Sequence, residues 1–210
     1  MAGNLFGKIA SDALGLSDIG KILDPKDFNK AEVDDYIFHE ENEEIFFVIK
    51  SQTDEYCFTN LAIIHLDGQT AVSKRRMLNR YDYFNHSIKD VRIETAGTID
   101  LDCELKFSVV RNCKEVNFSI DINKNQEEQI KDIYKALHKI SLIQTESSIR
   151  KNDRDLTLAT VKDTFGRAGC ENVAEQFKDL MGFVNAWNEQ SFNMYHTKDF
   201  GDIFRLYINN

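Results

Sequence analysis

The sequence predicts an α+β protein in which seven antiparallel strands form a strongly bent sheet, closed by one helix and followed by a helical extension. Three observations predict this class. Hydrophobic residues alternate with a period of two between residues 45 and 122, as in strands buried on one face. After residue 125 they recur at spacings of three and four, as in amphipathic helices. Hydrophobic residues make up 42% of the chain and charged residues 29%, which is typical of a soluble globular protein.

Composition and charge argue against several classes of function. The 210 residues include 26 basic and 35 acidic ones, and the net charge of −9 disfavours a nucleic-acid partner. The longest apolar runs, such as residues 45–49 and 61–64, are too short to span a bilayer. No signal peptide is recognisable and no CxxC pair occurs, so we expect a cytoplasmic location with reduced thiols at Cys57, Cys103, Cys113 and Cys170.

The N-terminal segment, residues 1–30, is predicted to be an amphipathic helical segment that Pro25 ends. Its apolar residues recur at helical spacing: Leu5, Phe6, Ile9, Ala13, Leu16, Ile19 and Leu23. A helix on a membrane surface would need an excess of basic residues, but here acidic residues match the lysines. Docking against its own domain or a neighbouring subunit is therefore favoured over lipid contact.

An acidic stretch leads into the first strand. Seven carboxylates fall within residues 32–44: Glu32, Asp34, Asp35, Glu40, Glu41, Glu43 and Glu44. The simplest interpretation is a solvated entry to the strand. A cation site is the alternative, although the spacing matches no EF-hand loop.

Period-two alternation predicts seven strands, at residues 45–50, 55–60, 61–66, 73–83, 89–95, 101–109 and 116–122. The alternation is clearest in the sixth strand, where the inward positions are Leu101, Cys103, Leu105, Phe107 and Val109. Turn signals at residues 67–68 and 112–114 separate neighbouring strands. Strands with one buried and one wet face are typical of an antiparallel sheet.

Helical spacing follows the last strand. Asn125 with Glu128 is predicted to cap a helix whose apolar stripe is Ile130, Ile133, Tyr134, Leu137 and Ile140. A polar stretch at residues 144–153 is predicted to separate it from a second helix at 156–168. A long third helix and a short last one follow. Seven antiparallel strands followed directly by one amphipathic helix is the order of a pleckstrin-homology (PH) barrel, in which the helix plugs the open end of a bent sheet.

Three short segments resemble the bacterial PH domain family of the YvbH-like type. They are FTN at residues 58–60, HLDG at 65–68, and ETAG at 94–97 followed by DLDCELK at 100–106. Their order and spacing agree with that family over roughly residues 30–140. The helical remainder is similar in position to the YvbH-type C-terminal extension, an oligomerisation region. The resemblance implies a PH-like domain at residues 31–141 and an oligomerisation extension at 142–210.

The family motif comprises Glu94, Thr95, Ala96, Gly97, Asp100, Asp102 and Glu104. Its small residues allow a sharp turn at Gly97. The three carboxylates that follow lie two residues apart and so share one strand face. Pairing with basic residues across the ladder is the favoured interpretation. Contact with a neighbouring subunit and binding of a metal ion are the alternatives, and without a nearby histidine we expect no metal.

Only one basic cluster occurs, at residues 74–80. On a strand, Lys74, Arg76 and Arg80 share one face and could contact the phosphates of lipid headgroups. The favoured interpretation is that they pair with the surplus carboxylates. No HExxH, Walker, GxGxxG or GxSxG motif occurs, and sequence pairs no cysteine with a histidine. We therefore expect no enzymatic activity and no cofactor.

The last sixty residues are rich in aromatic side chains, which two or three helices cannot all bury against each other. Self-association is favoured, and docking on the barrel is the alternative. The candidate contact residues are Phe177, Leu180, Val184, Trp187 and Phe204. The sequence thus predicts a non-enzymatic scaffold that forms a homo-oligomer, of which a ring is one form, with an unidentified protein partner. The alternative is a peripheral module that binds anionic lipid through residues 74–80.

Overall fold

The computed structural model describes residues 18–68, 76–95, 102–167 and 173–208. Within these ranges the chain forms eight strands and then three α-helices, which confirms the predicted α+β class. The strands are β1 (Lys21–Ile22), β2 (Ile45–Lys50), β3 (Glu55–Thr59), β4 (Ala62–Asp67), β5 (Met77–Asp82), β6 (Ser87–Thr95), β7 (Asp102–Arg111) and β8 (Lys114–Asn123). The helices are α1 (Glu127–Arg167), α2 (Val173–Tyr195) and α3 (Gly201–Tyr207).

The strands form two antiparallel sheets, with the orders β1-β2-β3-β4-β5 and β6-β7-β8. The sheets are joined at Gly20, whose N–H donates to the carbonyl of Asp121 at 2.7 Å and whose carbonyl accepts from the N–H of Asn123 at 3.0 Å. A Cβ at position 20 would lie 2.7 Å from Cγ2 of Ile49, so this approach requires glycine. The chain around β1 therefore connects an edge of one sheet to an edge of the other.

The seven long strands lie where alternation predicts them, and β1 is additional. This strand corrects the N-terminal prediction, since Lys21–Ile22 is extended rather than helical. The side chain of Gln126 provides the reason, because it replaces a neighbouring strand: it donates to the carbonyl of Ile22 at 2.7 Å and accepts from the N–H of Ile22 at 2.8 Å. Residues 1–17, the rest of the predicted helical segment, lie outside the described residues.

The main core lies between the sheets and the start of α1. The described β7 residues that were predicted to point inward are buried: Cys103, Leu105, Phe107 and Val109. In the predicted stripe of α1, Tyr134 is half-buried and the other four members are completely inaccessible: Ile130, Ile133, Leu137 and Ile140. Burial of each such side chain contributes about 1.5–3 kcal/mol, which fixes the helix on the open end of the sheets.

A second core covers the outer face of the five-stranded sheet. Short 3₁₀ turns at Pro25–Lys30, Glu32–Tyr36 and His39–Glu41 cross this face. Val33 of the second turn is buried there, as are Ala31 and Ile37, the residues that flank this turn. The sheet contributes a row of neighbouring positions across β2, β3 and β4, namely Val48, Cys57 and Ile64. The next position in this row, on β5, is Arg80, so its side chain starts at the edge of an apolar layer.

The first helix is longer than predicted. α1 runs unbroken from Glu127 to Arg167, so the predicted break at residues 144–153 is wrong. That stretch contains no glycine or proline, and its polar residues each cost at most about 0.7 kcal/mol in a helix, too little to break it. An ion pair between Glu146 and Arg150, four residues apart, supports it. The cap also differs from the prediction: Asn123, and not Asn125, accepts a backbone N–H at the helix entry.

The chain forms two compact units. The first contains the strands, α1 as far as Ser141, and residues 198–210 with α3. The second consists of residues 142–197, which are the rest of α1 and all of α2. We call the first the barrel unit and the second the helical unit. Residues 198–210 therefore belong to the barrel unit, although the sequence predicts one continuous extension from residue 142.

Candidate functional site

The predicted phosphate-binding cluster lies partly within the structure, and its described members bind other residues of the chain. Lys74 is outside the described residues. Arg76 donates from Nη1 to the carbonyl of Thr53 at 2.6 Å and pairs with Glu32 at 3.4 Å. The cluster therefore presents less free positive charge than the sequence suggests.

Arg80 takes part in a buried ion pair. Its Nη1 and Nη2 donate to the two carboxylate oxygens of Glu43, each at 3.0 Å, and its Nε donates to Asp82 at 2.7 Å. The guanidinium carbon lies 4.7 Å from the ring centre of Phe38. Burial opposes the charge of Arg80, but the hydrogen bonds to Glu43 and Asp82 hold its pKa above the ordinary value. The guanidinium of Arg80 therefore stabilises the folded structure.

Glu43 was predicted to be solvated and is instead buried. Its carboxylate also accepts from the hydroxyl of Thr59 at 2.6 Å and from the N–H of Phe38 at 3.0 Å. With the two bonds from Arg80, all its hydrogen-bonding capacity is used. The prediction of a solvated acidic stretch is therefore wrong for Glu43. The sequence alone does not distinguish Glu43 from its acidic neighbours.

Two carboxylates of the family motif bind Lys106: Glu94 lies across the ladder on β6, and Glu104 lies on the same strand, β7. Ala96, Gly97 and Asp100 lie outside the described residues, as does the predicted turn. On the described strands, Nζ of Lys106 lies 2.7 Å from a carboxylate oxygen of Glu94 and 2.7 Å from one of Glu104. These hydrogen bonds lower the pKa of both carboxyls. Among the residues that the structure describes, no group of histidine, cysteine and acidic side chains could hold a metal ion.

His65 and Asp54 form a partly buried pair between the sheets. The ring of His65 stacks on Tyr56 with centres 4.4 Å apart, and its Nε2 lies 2.9 Å from Oδ1 of Asp54. The hydrogen bond with His65 lowers the pKa of Asp54, with help from the Thr53 hydroxyl. The pair fixes the turn between β2 and β3, and no further titratable group completes a catalytic arrangement with it in the described part of the chain.

Replacing Asp54 by asparagine is expected to destabilise the protein by about 1 kcal/mol near neutral pH. Because the folded state lowers the pKa of Asp54 below 3.8, this contribution is present above that value and is lost as the pH falls through the lowered pKa. Denaturant unfolding between pH 3 and pH 7 should therefore show wild type and D54N converging in acid. The exposed Asp35→Asn serves as the control, and a constant D54N deficit across this range would contradict the argument.

The end of the chain docks onto the barrel. The N–H of Phe200 donates to the carbonyl of Asn60 at 2.8 Å, and Nδ2 of Asn60 donates to Asp199 at 2.8 Å. Phe204 is completely buried and stacks on Phe46 with ring centres 4.9 Å apart. Phe204 is thus inaccessible in the barrel unit, whereas the sequence places it among residues for self-association.

The other self-association candidates lie together on α2. Leu180, Val184 and Trp187 are half-buried on one side of this helix, and Phe177 is exposed. The guanidinium of Arg150 on α1 lies 6.0 Å from the ring centre of Tyr195 on α2. Because the two helices are joined at their other ends, this contact makes them an antiparallel pair.

One row of exposed apolar residues on α1 is not predicted from the sequence. Leu142, Ile149 and Leu156 are each more than half exposed in the helical unit. Their signal in the sequence is a spacing of seven, which the predicted helix break at residues 144–153 concealed. Within the described part of the chain, no helix has the length and apolarity to cross a membrane.

Known proteins resemble this chain over nearly its whole length. The family model described as "Bacterial PH domain" matches residues 13–141, and the model described as "YvbH-like oligomerisation region" matches residues 155–210. The uncharacterised protein YvbH of Bacillus subtilis (strain 168) is 47% identical over 208 residues, which are 98% of this chain and 100% of that protein.

One solved structure agrees with these matches. The crystal structure of a PH-domain-containing protein from Exiguobacterium sibiricum 255-15 covers 91% of this chain and 100% of its own, with a TM-score of 0.81 and 43% identity. A DUF1696 family protein with a pleckstrin-homology domain from Shewanella loihica PV-4 is more distant, with a TM-score of 0.45 and 22% identity over 59% of this chain and 98% of its own. The chain belongs to the bacterial PH domain family and carries a YvbH-like C-terminal extension.

Proposed function

We propose that the protein is a non-enzymatic scaffold that self-associates into a homo-oligomer through residues 142–197. One observation carries this proposal. The described part of the helical unit exposes large apolar side chains: Leu142, Ile149, Leu156, Phe177, Met181 and Phe183. Apolar surface on this scale marks an interaction site, because leaving it in water is costly.

The comparisons support the same function. Residues 155–210 match a region described by its oligomerisation, and the barrel belongs to a domain type that is in general non-catalytic. We also place the protein in a reducing compartment, the cytoplasm, because Cys57, Cys103 and Cys113 are free thiols. Besides further copies of itself, we propose that it binds another protein, whose identity is unknown.

The lipid-binding alternative gains no support from the geometry. Arg76 and Arg80, the described members of the basic strand, bind a carbonyl and carboxylates of the chain itself. A phosphate ligand would have to displace Glu43 from Arg80, which would leave a buried carboxylate without its partner.

Light scattering coupled to size-exclusion chromatography tests the proposal. We expect a mass above the 24.3 kDa of one chain that rises with concentration. A helical-surface variant, with glutamine at Leu142, Ile149, Leu156, Phe177 and Phe183, should elute as a monomer. The matched barrel variant, with glutamine at the exposed Met77, Val116 and Leu206, should keep the wild-type mass. A wild-type protein that is monomeric at every concentration would refute the proposal.

A further inference from the structure

The outer face of α1 carries a straight apolar row. Leu142, Ile149 and Leu156 are 51%, 56% and 70% exposed. Seven residues fall only about 20° short of two helical turns, so the three side chains lie nearly in line along about 21 Å of helix. We call these three residues the seam.

The seam faces away from the partner helix of its own unit. The residues of α1 that are half-buried in the helical unit include Arg154, Leu158 and Val161, which lie on the opposite side of the helix. Thr145, Asn152 and Ala159 complete the seam face, and all three are exposed. Large residues at one heptad position and small or polar ones at the other form a narrow surface that a second helix can approach closely.

We propose that the seam is the contact at which α1 of a second copy packs parallel to α1, so that each seam residue meets its own counterpart. This inference rests on the proposed function and deepens it by naming the contact and its orientation. A second copy matches the spacing of the seam residues, because both helices carry the same seven-residue repeat.

The charges beside the seam favour the parallel orientation. In a parallel pair, Ser141 and Ser148 lie next to Glu146 and Asp153 of the second copy, where a hydroxyl meets a carboxylate. In an antiparallel pair centred on Ile149, Glu146, which already pairs with Arg150 of its own helix, would lie next to Asp153 of the second copy, where two acidic side chains meet and neither gains a hydrogen-bond donor. The residues beside the seam thus favour the parallel arrangement.

The length of the seam sets the strength of the contact. It spans about two to three heptads, which is shorter than the three to four heptads of a persistent coiled coil. The seam alone therefore gives a reversible, concentration-dependent pairing, and permanent assembly would need further surfaces of the helical unit.

Two variants of the full chain test the seam by light scattering. Ile149→Gln should raise the concentration needed for half-association at least tenfold, because it places a polar group in the middle of the seam. Phe183→Gln, which removes a similarly exposed apolar side chain from α2, should change it less than twofold. Circular dichroism checks that both variants stay folded. If F183Q dissociates the oligomer and I149Q does not, the inference is wrong and the proposed function stands; a monomeric wild type removes both.

Disulfide trapping tests the orientation. In a background with Cys113→Ser and Cys170→Ser, we introduce Leu142→Cys or Leu156→Cys and oxidise mildly. A parallel seam predicts covalent dimers from each variant by itself, since each residue meets its counterpart within disulfide distance. Covalent dimers that form only when the two variants are mixed would show antiparallel packing and overturn the inference.

Discussion

Replacing Glu43 by alanine is expected to destabilise the barrel by about 3–5 kcal/mol. The substitution leaves Arg80 with Asp82 as its remaining carboxylate partner, and it removes the acceptor of the N–H of Phe38. A loss of this size is a large fraction of the roughly 5–15 kcal/mol that stabilises an ordinary domain. Urea unfolding followed by far-UV circular dichroism measures it.

Matched variants separate the ion pair from the rest of the acidic stretch. The exposed Glu41→Ala should stay within about 0.5 kcal/mol of wild type. Replacing both partners by methionine should recover much of the loss, because two apolar side chains leave no buried charge unpaired. Equal losses in E41A and E43A, or a double variant as unstable as E43A, would contradict the assignment. Fluorescence of Trp187, the single tryptophan, reports separately on the helical unit.

Local patterns were enough to predict most of the fold. The alternation of Leu105, Phe107 and their neighbours identifies a strand, and Ile130 to Ile140 identifies a buried helix stripe, because each depends only on which face of one element meets the core. The resemblance in the ETAG segment then selected the barrel type. Each of these signals lies within a few residues of sequence.

Predictions failed where long-range partners decide the structure. The extended conformation of Ile22 depends on Gln126, which is 104 residues away, and the docking of the C-terminal segment depends on Asn60, which is 139 residues from Asp199. Glu43 resembles its acidic neighbours in sequence, and the side chains that bind it in the buried position, Thr59 and Arg80, lie on β3 and β5. A sequence pattern identifies a face of an element but does not identify its distant partner, so these sites required the structure.

Replacing Phe204 by alanine is expected to release α3 from the barrel. The helix has seven residues, too few to persist without packing, and its place depends on the contacts of Phe204 with Phe46, Phe47 and Tyr83. Truncating a buried phenylalanine costs about 3–5 kcal/mol of stability. Because α3 can detach by local unfolding, the free energy of unfolding of the rest of the barrel should fall by less than this. Hydrogen exchange should show the amides of Phe204 and Ile208 losing protection while those of β3 and β4 keep it.

The control for this prediction lies on the same helix. Leu206 is exposed, so Leu206→Ala should leave the protection of α3 unchanged, and Phe204→Leu should restore part of what alanine removes. Because Phe204 is buried in the barrel unit, F204A should also release α3 without lowering the mass of the oligomer. If F204A were monomeric while α3 stayed protected, Phe204 would instead take part in self-association, as the sequence predicts. Equal exchange in F204A and L206A would show that the aromatic contacts do not hold the segment.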